Sequence, residues 1–127
     1  MENKIKKLES KNGIKGKQHR KENGFYQQYS LVDIGRKKEI MVVRFYATNT
    51  RVYCCIWGLH DLQFSGSGYA GGYGYHKPSA AMQSALDSAG VVMERSIDGV
   101  GDSAIEGVLN SFGQKYCTEY MIVKANA

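Results

Sequence analysis

One proline stands in the whole chain of 127 residues, at position 78, and one tryptophan, at position 57. Proline-rich linkers and polyproline segments are thereby excluded. Cysteine is scarce and odd in number: three, two of them the neighbours Cys54 and Cys55. No disulfide framework and no C-x-x-C motif can be drawn from them, and a reducing compartment is the expectation. Long apolar runs are missing as well. The longest, residues 52–59, falls far short of the roughly 20 residues that cross a bilayer. The lysines near the start lead into no apolar stretch of the kind a secretory leader needs. The expected setting is cytoplasmic, with no membrane partner.

The net charge of +5 invites a nucleic-acid reading, but most of the chain has no net charge to offer. Residues 1–24 carry eight bases (Lys4, Lys6, Lys7, Lys11, Lys15, Lys17, Arg20 and Lys21) against Glu2, Glu9 and Glu22, while residues 25–127 hold nine charges of each sign. The reading is a basic, flexible N-terminal arm over 1–24 and a single domain over 25–127. The arm has no aromatic residue, so it is expected to be dispensable for folding. It serves either as a solubilising tail or as an electrostatic arm for an anionic partner, nucleic acid included.

Glycine and tyrosine are what the chain has in abundance, and they concentrate in residues 63–89. A run with five glycines and three tyrosines leads directly into a helix predicted over 78–89. Pro78 suits the first helical position, where its missing N–H is not needed. Met82, Ala85, Leu86 and Ala89 recur on one helical face, and Gly90 stands where a C-terminal cap belongs. Glycines allow close backbone approach, helix N-termini favour anions, and tyrosine rings stack on bases. The candidate ligand residues are therefore Gly68, Tyr69, Gly71, Gly72, Tyr73, Gly74, Tyr75, His76, Lys77 and Ser79. The alternative is a structured connector with its tyrosines packed back on the sheet. Residues 66–71 match G-x-G-x-x-G, but Pro78 starts the helix seven residues after Gly71 and no acid follows at the ribose-binding distance, so the dinucleotide fingerprint is rejected. No phosphate-loop motif is present either.

The remaining pattern predicts strands over 29–35, 39–48, 51–60, 91–97 and 115–124 and a second helix over 103–112. That helix carries Ile105, Val108, Leu109 and Phe112 on one face, with Asp102 as its N-cap and Gly113 as its end. Residues 81–90 and 104–113 align without a gap, as a short duplicated unit would. The fold class is α+β: a mixed or antiparallel five-stranded sheet, in the order β-β-β-α-β-α-β, with two helices on one face.

If Asn49-Thr50 is a two-residue hairpin loop, counting sets the register: Ala47 faces Val52, Phe45 faces Cys54 and Val43 faces Ile56. Ile40, Val42, Arg44, Tyr46, Tyr53, Cys55, Trp57 and Leu59 then share the opposite face. Val42, Arg44, Tyr46, Tyr53 and Trp57 have the composition of a subunit interface, and a homodimer is expected. The same aromatics would also serve as a stacking platform for single-stranded nucleic acid.

Catalytic candidates are thin. His60-Asp61 at a strand end would supply a base and an orienting carboxylate, and Cys55 a nucleophile, but strand neighbours point apart. Cys54, Cys55, His60, His76 and Cys117 lack zinc-site spacing. No catalytic residue, metal or cofactor is assigned, and a non-enzymatic protein is the reading.

The run from Gly72 to Ala81, GYGYHKPSAA, with Gly99-Val-Gly-Asp-Ser-Ala-Ile105 downstream, resembles a family of small uncharacterised phage, prophage and mobile-element proteins. The resemblance spans residues 52–123. It implies an accessory role in a host cytoplasm, such as counter-defence by sequestering a nucleotide signal or by blocking a host protein. The expected function is binding of a small anionic, nucleotide-like ligand at the Gly/Tyr-rich loop and helix N-terminus. The alternatives are a nucleic-acid-binding accessory protein and a protein–protein inhibitor of a host factor.

Overall fold

The computed structural model describes residues 6–7, 25–47, 50–71, 77–93, 97 and 101–126. In chain order the elements are β1 (Lys6–Lys7), β2 (Phe25–Asp33), β3 (Lys38–Ala47), β4 (Arg51–Gly58), β5 (Phe64–Gly71), α1 (Lys77–Ser88), α2 (Gly101–Tyr116) and β6 (Tyr120–Asn126). Among the described residues the strands form one sheet in the order β1-β6-β2-β3-β4-β5. The five long strands are antiparallel, and the two-residue β1 adds to β6 in parallel. The chain has an α+β fold.

The β3–β4 hairpin shows why the sheet forms here. Both strands are rich in β-branched and aromatic residues, which fit a pleated surface. The counted register holds: Ala47 faces Val52, Phe45 faces Cys54 and Val43 faces Ile56. The even positions turn the other way, as alternation demands. A bulge corrects one assignment. Leu31 pairs with Met41 but Val32 with Glu39, so Ile40 is the extra residue. It joins Met41 in the core at 1% exposure instead of facing outward with Val42.

Both helices lie on one face of the sheet. Ala81, Met82, Ala85 and Leu86 of α1 and Ile105, Val108, Leu109 and Phe112 of α2 close over Tyr29, Leu31, Val43, Phe45, Cys54 and Ile56. α1 ends as the sequence indicates. Gly90 takes φ +78°, its N–H donates to the Asp87 carbonyl, and the Val91 N–H donates to the Leu86 carbonyl. This pair of bonds is a Schellman cap.

Three placements differ from the sequence reading. The fourth long strand is Phe64–Gly71, ahead of both helices, and Val91–Met93 carry no strand. Gly66 and Gly68, read as part of a loop, are strand residues under α1. A Cβ on Gly66 would stand 2.5 Å from the Ala85 carbonyl oxygen and 2.7 Å from Ala89 N, and one on Gly68 would stand 2.6 Å from Ala85 N. The two glycines thus let helix backbone lie directly on strand backbone.

Gly113 does not end α2, which runs on to Tyr116. A Cβ at Gly113 would lie 2.5 Å from the ring of Tyr120, itself 2% exposed. The likeness of residues 81–90 to 104–113 therefore breaks at its last position, a cap in one copy and a packing gap in the other. β6 accordingly starts at Tyr120. No helix among the described residues is long and apolar enough to cross a membrane.

Candidate functional site

β5 carries the first part of the glycine–tyrosine run along the edge of the sheet, where its outward side chains meet those of β4. In that ladder Tyr53 faces Tyr69 and Arg51 faces Gly71. Alternation puts Arg51, Tyr53 and Tyr69 on the face away from the helices. There the Arg51 guanidinium lies over the Tyr69 ring, 4.4 Å from its centroid. Tyr53 tilts against Tyr69 at 5.9 Å, and Arg51 Nη1 donates to the Tyr53 hydroxyl over 3.4 Å. Tyr69 is nonetheless 51% exposed. A cation and two aromatic rings are thus held together by one another at a solvent-facing corner. Gly71, one step further, has no atom within 4 Å of where a Cβ would be, so the chain leaves the strand through open space.

The ten ligand residues read from sequence divide in this structure. Tyr69 and Gly71 lie at the corner. Gly68 faces the helix side, and its missing Cβ serves α1 rather than a ligand. Ser79, in the first turn of α1, is buried at 7% exposure. Lys77 opens the helix. Gly72, Tyr73, Gly74, Tyr75 and His76 lie outside the described residues, as does residue 98–100 of the second glycine loop. Arg51 escaped the sequence reading. Its signal was available in the strand register, since treating Phe64–Gly71 as the partner of β4 sets Arg51 beside the glycine–tyrosine run.

The five residues read as an interface do share the outer face. Arg44 donates from Nε to the Gln28 side-chain oxygen at 2.7 Å and lies 5.5 Å from the Trp57 ring centroid. Arg44 and Tyr46 are only 5% and 4% exposed in a single chain, while Val42, Tyr53 and Trp57 are half-buried. Burial pushes the Tyr46 phenol well above its ordinary value.

The groups considered for catalysis are dispersed. His60 sits exposed in the β4–β5 turn with φ +55°. The Asp61 carboxylate accepts from Arg36 Nη1 at 3.2 Å. Arg36 also bonds Asp33 through Nε at 2.8 Å and through its backbone N–H at 3.2 Å. Burial works to raise the Asp33 carboxyl, but these bonds prevail and hold it below its usual value. Cys55 faces Tyr46 and Arg44 on the sheet. Among the described residues no three of His, Cys, Asp and Glu come together as a metal site would need.

Burial raises all three thiols. Cys54 is fully enclosed, Cys55 is raised despite the Tyr46 hydrogen bond, and Cys117, with the Asp33 charge adding to its burial, is pushed up to about 11. Raised thiols hold little thiolate near neutrality and are poor nucleophiles. Native protein at about pH 8 is therefore expected to react slowly with a disulfide reagent such as DTNB, and to release three equivalents only on denaturation. One fast equivalent from the native protein would overturn this and restore Cys55 as a nucleophile.

What the fold and the corner define is an antiparallel sheet with one helical layer, and on its other side an exposed arginine–tyrosine cluster. Comparison with family models, curated proteins and solved structures gives no match.

Proposed function

We propose that this is a non-enzymatic binding protein that takes a small anionic, nucleotide-like ligand at the glycine–tyrosine stretch, with Arg51, Tyr53 and Tyr69 as the part on the sheet. The observation that carries this reading is the stack of Arg51 on half-exposed Tyr69. It offers a permanent positive charge for a phosphate beside an aromatic face for a base. Both groups are already ordered by their mutual contacts, which lowers the entropic cost of capture. Lys77 and the N–H groups at the start of α1 follow a few residues along the chain. The setting we propose is a host cytoplasm, and the phage-family resemblance favours sequestration of a nucleotide signal as the biological role.

The test is to denature purified protein and search the supernatant by ultraviolet absorbance and mass spectrometry, then to titrate the emptied protein with mono-, di- and cyclic nucleotides. One base-stacking contact is worth about 1–3 kcal/mol, so Tyr69→Ala is expected to weaken binding about 5- to 150-fold, with Arg51→Ala acting in the same direction. Binding untouched by either variant, or no binding to any nucleotide, would sink the reading. Affinity for oligonucleotides that collapses as salt rises would point instead to phosphate neutralisation by the basic segment. Capture of a host protein without nucleotide would indicate an inhibitor.

A further inference from the structure

The outer face of the sheet is unevenly wet. Ser30 is 0% exposed, Gln28 1%, Ala125 3%, Tyr46 4%, and Arg44 and Val123 5%. These residues belong to β6, β2 and β3. On β4, Tyr53, Cys55 and Trp57 are half-buried, and on β5, Ser65, Ser67 and Tyr69 are exposed. Burial therefore rises from the β5 edge toward the β1 edge. Side chains in the middle of a sheet face reach such values only under a second layer. The exposures are those of one chain alone, so the layer belongs to that chain. Both helices lie on the other side.

Five stretches fall outside the described residues between β1 and β6, and four of them do not suit the position. Residues 48–49 form the tip of the β3–β4 hairpin, residues 72–76 join the β5 edge to α1, and residues 94–96 and 98–100 join α1 to α2. The fifth, residues 8–24, joins Lys7 to Phe25. Lys7 stands beside Ile122, and Gln27, near the start of β2, faces Asn126. Two strand spacings and about six residues of rise separate the ends, roughly 22 Å. Seventeen residues reach up to about 56 Å when extended. The connection is more than twice as long as a direct crossing needs. The most deeply buried positions, Gln28 and Ser30 with Arg44, Tyr46, Val123 and Ala125, lie toward the start of β2, where this segment must arrive. The Gln28 amide nitrogen is buried there without an acceptor among the described residues, as suits a site faced by further backbone.

We propose that residues 8–24 lie across the outer face over β6, β2 and β3. The basic segment is then a structural layer of the domain, and Arg44 and Tyr46 are closed to a second copy of the chain. The open part of that face narrows to the β4–β5 corner, and Lys11, Lys15, Lys17, Arg20 and Lys21 are brought to the same side of the sheet as Arg51. Those bases also supply the test. Limited trypsin digestion of the full-length protein at concentrations where sedimentation shows a monomer should cut within residues 8–24 at least about a hundredfold more slowly than in the denatured chain. Removing residues 1–24 should lower the melting temperature by about 10 °C or more. If the shortened chain does not fold, the digestion alone decides. Cleavage at the denatured rate, or protection that vanishes on dilution as a dimer dissociates, would overturn the proposal, the latter in favour of a second copy.

Discussion

Gly66→Val is expected to destabilise the fold by about 3 kcal/mol, the upper part of the usual range for overpacking, and to lower the melting temperature by about 12 °C for a domain of this size. The obstacle is what makes the effect large. The first added carbon would meet the Ala85 carbonyl oxygen at 2.5 Å and Ala89 N at 2.7 Å. Both are backbone atoms of α1, so no rotamer change relieves the overlap. The helix has to lift, and with it go the contacts of Met82 and Leu86, each 0% exposed. Gly71→Ala is the matched control. It sits in the same strand with open space around it, and such surface changes stay within about 0.5 kcal/mol. Equal melting temperatures for the two variants, followed by calorimetry or circular dichroism, would show that α1 is not seated on β5.

Two alanine substitutions in α2 are expected to act in opposite directions. Glycine inside a helix normally costs about 0.5–1 kcal/mol relative to alanine. Gly107 is exposed with nothing within 4 Å of a Cβ, so Gly107→Ala should recover about that amount. Gly113→Ala gains the same propensity term but drives a methyl into the Tyr120 ring. That ring is buried, and its hydroxyl donates to Asn110 at 3.4 Å, so it has little room to retreat. A net loss of about 1–3 kcal/mol is expected, read as a lowered denaturant midpoint. Stabilisation by both substitutions would mean that Tyr120 does not pack against α2.

The Gly113 result shows where the sequence is legible and where it is not. Periodicity is a property of one element, so the face of α1, its Schellman cap at Gly90 and the register of the β3–β4 hairpin can all be read directly. The bulge at Ile40 depends on how β2 pairs with β3, and no count along one hairpin reveals it. Gly66, Gly68 and Gly113 look in sequence like loop or cap glycines, because local pattern cannot separate a glycine chosen for its φ from one chosen for its lack of volume. Only the partner element makes the distinction. The same blindness hid β5. Its inward side chains are replaced by glycine at positions 66 and 68, so the apolar alternation that marks a half-buried strand is erased where the helix comes closest. With β5 unseen, Arg51 had no visible connection to Tyr69.

The position of β6 bears on how the chain acquires its structure during synthesis. β6 is the last strand to be made, yet it sits between β1 and β2. Until residues 120–126 leave the ribosome, β2 has one unpaired edge and β1 has no strand to join. β2 through α2 can assemble as the chain emerges, but closure of the sheet is post-translational and depends on contacts between the two ends of the polypeptide. Such distant pairing is slow, and an open strand edge invites association with other nascent chains. A ribosome stalled before Tyr120 would therefore release a sticky, unfinished sheet, which makes the last few codons decisive for solubility.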